Sequence, residues 1–207
     1  GKNIGFVSVA ALQYVTPTME TKLFSWLGRE FVEISGEAKA GSSVQRATAE
    51  LFESFASALK SHGLSLDNTA RIRVFGRDRP GRTEATLARS KVLSGGRRAA
   101  SSSFISQQWF DSDGAAGLEL LALRPSDSNA PRHPVDFQPA RNYLCYLDYD
   151  SLLFFSGFTS EAATLEQQVK EVLATLDGAF AKAKTDWDKL KKLSLLLQRG
   201  SNLESAK

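Results

Sequence analysis

The sequence has one cysteine, two histidines and one methionine among 207 residues. A single thiol, Cys145, excludes an internal disulfide and a cysteine-built metal centre. It lies in an apolar strand-like run and reads as a small buried hydrophobe. His62 falls near a helix end, where an imidazole suits the dipole. His133 stands between prolines in a segment read as exposed. No His, Asp or Glu pair has the spacing of a metal site, so no metal and no cofactor are expected. No apolar run approaches the roughly 20 residues that span a bilayer. The opening "GKNIGFVSVAALQYV" carries no secretory cleavage site and no initiator Met, which reads as a trimmed end of a cytoplasmic protein. A net charge of +3 is too small to imply nucleic acid by itself.

What is present is ordinary globular composition, 42% hydrophobic and 24% charged, and one phrase written twice. "EFVEISGEA" from Glu30 and "SLLFFSGFT" from Ser151 are both apolar runs ending in Ser-Gly, with Ser35 and Ser156 lying 121 positions apart. At that offset "TKLFSWLGR" from Thr21 overlies "NYLCYLDYD" from Asn142, both alternating as half-buried strands do. A helical pattern then places Val44, Thr48, Leu51, Phe55, Ala58 and Leu59 over Leu165, Val169, Val172, Leu176, Ala179 and Phe180. "SLDN" at Ser65 overlies "DWDK" at Asp186, and "RIRVF" from Arg71 overlies a strand expected at "KLSLL" from Lys192. Four elements in register read as an internal duplication.

The first copy continues with a second helix, "RTEATLARSKVL", that offers Leu87 to a packing face. Strands at "AASSSFISQQWF" and "GLELLALRP" follow. The expected class is therefore α+β, each unit running β-β-α-β-α-β-β. Residues 1–20 form a lead-in, 21–125 the first unit, 126–140 a Pro/Ser/Asn-rich linker and 141–207 a second unit. That second unit ends about 37 residues short of a full copy.

This order, with "ISGEA", "ALKSHGLSLDNTARIRVF" and the closing "GLELLAL", resembles the RidA family, also called YjgF/YER057c/UK114. The resemblance implies a chorismate-mutase-like fold and a homo-oligomer of trimer type with clefts between sheets. It also implies hydrolysis of enamines and imines that carry a carboxylate. Active members hold that carboxylate with an Arg in Pro-Ala-Arg-Ser and orient water with the second Glu of "IEIEA". Here "RAAS" puts Ala100 at the Arg position and Ser102 at the family's usual Cys. "LELLA" keeps Glu119 but puts Leu121 at the second acidic position. The ligand-binding candidates are Ser35, Gly36, Arg97, Arg98, Ser102, Glu119, Ser156 and Gly157, with Arg97 and Arg98 as a relocated clamp.

The reading is a RidA-like protein for small carboxylated metabolites with a degenerate first site. A non-catalytic ligand-binding or scaffold protein is the alternative. RNA binding or endoribonuclease-like cleavage is a further one, resting on Arg71, Arg73, Arg77, Arg79, Arg82, Arg89, Lys91, Arg97 and Arg98. Against it, Arg71 and Arg73 read as the solvated face of a strand whose Ile72 and Val74 face inward, and no aromatic ladder accompanies them.

Overall fold

The computed structural model describes residues 19–106, 110 and 112–197. Strands β1 (Glu20–Trp26) and β2 (Arg29–Glu37) form an antiparallel hairpin. Leu27 and Gly28, both at positive φ, make its two-residue turn, a geometry that matches strand twist. Helix α1 (Val44–Ser61) starts where the Ser43 hydroxyl accepts the Arg46 N–H. It stops at Gly63, whose φ of +68° lets its N–H and that of Leu64 return to the Lys60 and Leu59 carbonyls. Thr48, Leu51, Phe55 and Leu59 of the expected face are buried, joined by Ala47 and Phe52.

A 3₁₀ turn leads into β3 (Thr69–Gly76). Helix α2 (Arg79–Val92) is capped by Asp78, whose carboxylate accepts the Gly81 N–H at 2.7 Å. A single helical turn, α3 (Gly95–Arg98), enters β4 (Ser101–Ser106), and β5 (Ala116–Arg124) completes a sheet ordered β1-β2-β5-β3-β4. Among the described strands only β3 and β4 pair in parallel, an arrangement that the α2 crossover makes possible. Both helices cover one face, where Val32, Ile34, Phe52, Phe55, Ile72, Val74, Leu118 and Leu120 form the core. Residues 20–124 thus have the element order that the RidA resemblance implies.

Several expectations change. Leu87 is 51% exposed, because α2 packs through the small residues Gly81, Ala85 and Ala88 instead. Strand β1 is exposed along its whole length rather than half-buried, being the sheet edge. The segment read as linker contains β6 (Arg132–Asp136), which pairs with β7 (Leu144–Tyr149), itself paired with β8 (Leu152–Phe155). Pro134 is tolerated there because β6 is an edge strand. Leu144, Leu147 and Tyr149 of β7 pack on Phe31, Leu121 and Leu123, on the face turned away from the helices. Cys145 is buried in β7, and His133 is exposed in β6.

The described residues fall into two compact units, 19–157 and 158–197. In the second, α4 (Leu165–Lys182) begins 121 positions after α1 and, like it, is 18 residues long. The 3₁₀ turns Leu66–Asn68 and Trp187–Lys189 keep that interval. Trp187 packs edge-on against Phe180 and donates its indole N–H to Asp177. Lys192–Leu196, expected as a strand, is not one. Its counterpart β3 is held between β5 and β4, whereas no strand is described beyond Phe155. Among the described residues no helix is long and apolar enough to cross a membrane.

Candidate anion-binding site

Gly81, Ala85 and Ala88 recur at helical spacing on the buried face of α2, and Arg89 is the next residue on that face. Arg89 is only 3% exposed. Its Nη2 donates to the Ala100 carbonyl at 3.1 Å and to Ser102 Oγ at 2.5 Å, while Nη1 reaches the Asn142 carbonyl at 3.3 Å. The Phe104 ring lies 5.9 Å from the guanidinium carbon. Nε has no hydrogen-bond partner, and no carboxylate of the described residues forms an ion pair with Arg89.

Burial pushes this guanidinium down to about 10, so it stays charged at neutral pH. A base with a lowered pKa carries a penalty at neutral pH that is relieved as pH rises through about 10. That penalty is on the order of 3 kcal/mol. Arg132 is also lowered by burial, but its Nη2 donates to the Thr69 and Ala99 carbonyls and it lies over the Tyr149 ring.

Arg89 forms part of the wall of a pocket of about 210 Å³. Ser90, Leu93 and Ser94 line it from α2 and its end; Asp136, Arg141, Asn142 and Tyr143 line it from the connection between β6 and β7. The Arg141 guanidinium lies 4.3 Å over the Phe137 ring and donates to the Tyr143 hydroxyl at 3.0 Å.

Ser102 ties this site to the second Ser-Gly pair. Its N–H donates to Ser156 Oγ, its carbonyl accepts the Gly157 N–H, and a Cβ on Gly157 would stand 2.9 Å from Ser103 Oγ. The chain leaving β8 therefore runs against β4. Ser156→Ala removes the hydroxyl that meets the Ser102 N–H. A loss of about 1–2 kcal/mol in urea unfolding is expected.

The first Ser-Gly pair lies elsewhere. Gly36 faces α1, where an added Cβ would meet Leu51 and Phe55 at 3.1 and 3.3 Å. Ser35 lies on the opposite face, beside Glu119 in the β2–β5 register. Glu119 accepts from Arg71 Nη2 at 3.0 Å and from Arg73 Nη1 at 2.8 and 3.1 Å. Arg71 and Arg73 are not the solvated face expected of them, since their side chains are 17% and 13% exposed. Burial lowers the Arg71 pKa, and the Arg73 charge lowers it further. Glu119→Leu should cost about 3 kcal/mol in chemical unfolding, because two half-buried cations lose their shared anion. Leu121 is buried in the cluster formed with β7, which explains an apolar side chain at that position.

Arg97 and Arg98 do not reach the pocket: both pair with Asp67, and the Arg97 side chain is 89% exposed. Arg77 donates to the Ser112 and Gly114 carbonyls, and Arg82 to Ser106 Oγ. The arginines thus divide among several sites, Arg71 and Arg73 sharing Glu119 and Arg97 and Arg98 sharing Asp67. Arg89 is the residue that the sequence reading passed over as one basic residue among many.

No family model matches the sequence, and no curated protein matches it. Solved structures do match it. A YjgF/YER057c/UK114 family member from Mycobacterium tuberculosis aligns over 45% of this chain and 79% of its own, at 18% identity and a TM-score of 0.40. The likeness is to YjgF-family structures. Yeast Mmf1 covers 48% of this chain and 87% of its own, at 19% identity and a TM-score of 0.40. A YjgF family member from Neisseria meningitidis covers 52% and 98%, at 12% identity and a TM-score of 0.41.

Proposed function

We propose that this chain is a RidA-like protein that binds a small organic carboxylate in the Arg89 pocket, without the acid that enamine or imine hydrolysis requires. One observation carries the reading: a buried guanidinium that lacks a carboxylate partner lines a pocket and keeps one N–H unmet. It also stands against Ala100 and Ser102, the positions that the resemblance gives to the family's Arg and Cys. A cation supplied by α2 takes the place of one supplied by the strand. A carboxylate on it would gain charge-assisted hydrogen bonds and offset the penalty of burying the charge.

Hydrolysis is disfavoured because Leu121 is apolar and Glu119 is already engaged by two arginines. The same reading takes the chain as two copies of one unit, the second lending Asn142, Tyr143, Ser156 and Gly157 to the site of the first.

Calorimetric titration of the protein with butyrate at low ionic strength tests the proposal. Saturable binding that disappears in Arg89→Met supports it; no saturation, or unchanged binding in the variant, refutes it. Freshly generated 2-aminoacrylate should release ammonia no faster with the protein than in buffer, and acceleration would restore the hydrolytic reading.

A further inference from the structure

Two guanidinia line the same pocket, one at its buried end and one at its rim. Arg89 has no carboxylate partner, and Arg141, exposed at the opening, donates to a neutral phenol and rests on an aromatic ring. The pocket's one acid, Asp136, is already engaged. We infer that the ligand is a short dicarboxylate of four or five carbons, with one carboxylate on Arg89 and the other on Arg141. This rests on the carboxylate reading above and adds the second charge.

Size and lining agree with such a ligand. A pocket of about 210 Å³ is small, which suits a short acid rather than a larger metabolite. Leu93 and Leu144 offer apolar wall to a methylene chain between the charged ends. Stacking on Phe137 restricts the Arg141 fork and leaves donors for a planar carboxylate. A monocarboxylate would satisfy the buried end and leave the rim cation without an anion.

The test compares three four-carbon probes on the intact protein by calorimetry: butyrate, succinate and 4-aminobutyrate. Succinate should bind at least about tenfold tighter than butyrate, the scale of one charge-assisted contact at a partly solvated rim. In Arg141→Gln that ratio should collapse to about twofold or less. Rescue of the ratio in Arg141→Lys would show that it depends on charge at this position.

Equal binding of butyrate and succinate by the unaltered protein overturns the dicarboxylate inference and leaves the carboxylate reading standing. Tighter binding of 4-aminobutyrate also overturns it, because the far end would then answer to Asp136. If butyrate does not bind, the carboxylate reading itself falls, and this inference with it.

Discussion

Arg89→Met should remove carboxylate binding and leave the protein at least as stable as before. The binding loss follows from the charge-assisted bonds that only Arg89 can offer at the buried end. It should be about 2–3 kcal/mol, or roughly 30- to 150-fold in affinity. Stability moves the other way because methionine fills similar space without a charge to desolvate. Little is orphaned by the change. Ser102 Oγ still donates to the Ala100 carbonyl, and Asn142 is exposed to water. A urea midpoint that holds or rises while titration heats vanish would separate the binding role from a structural one. A loss of more than about 1 kcal/mol in unfolding free energy would mean that Arg89 is chiefly a strut between α2 and the approach to β7.

The largest loss of stability is expected at Gly76, the last residue of β3. A Cβ there would collide with the backbone N and Cα of Arg82 and with its Cβ. Backbone cannot rotate away as a side chain does. The first turn of α2 is also fixed by the Asp78 cap and by the Arg82 N–H donating to the Asp78 carbonyl. Gly76→Ala should therefore displace α2 from the sheet and cost about 4 kcal/mol or more, near the limit for a single substitution. Gly96→Ala is the matched control, since nothing lies within 4 Å of its added Cβ. Denaturant unfolding of the two variants side by side, with Gly96→Ala within about 0.5 kcal/mol of the parent, checks the claim.

The order of elements in residues 20–124 was legible because the periods are clear there. The buried face of α1 recurs every three or four residues, and Ile72 and Val74 alternate with arginines. Tertiary facts were less legible. Leu87 is the large apolar residue of α2, yet close packing of the helix selects Gly81, Ala85 and Ala88. That stripe held the missed signal, for Arg89 is the one charged side chain on a face of small residues. The second wall of the pocket comes from residues about 50 positions away, in a segment whose prolines and serines masked an edge strand. Arg71 and Arg73 alternate as solvent-facing residues would. Alternation reports which side of a sheet a residue takes, and nothing about what covers that side.

The pairing of β2 with β5 also sets a schedule for the growing chain. Glu30 is opposite Arg124, 94 residues later. At roughly 5–20 residues per second of synthesis, β2 waits about 5–20 s for its central partner. Helix α1 emerges early enough to shield Val32 and Ile34, but Phe31 must wait longer, for Leu123 and then Leu147. Through that interval the nascent chain carries a hairpin with one aromatic face uncovered, and it is there that a ribosome-bound chaperone would be needed.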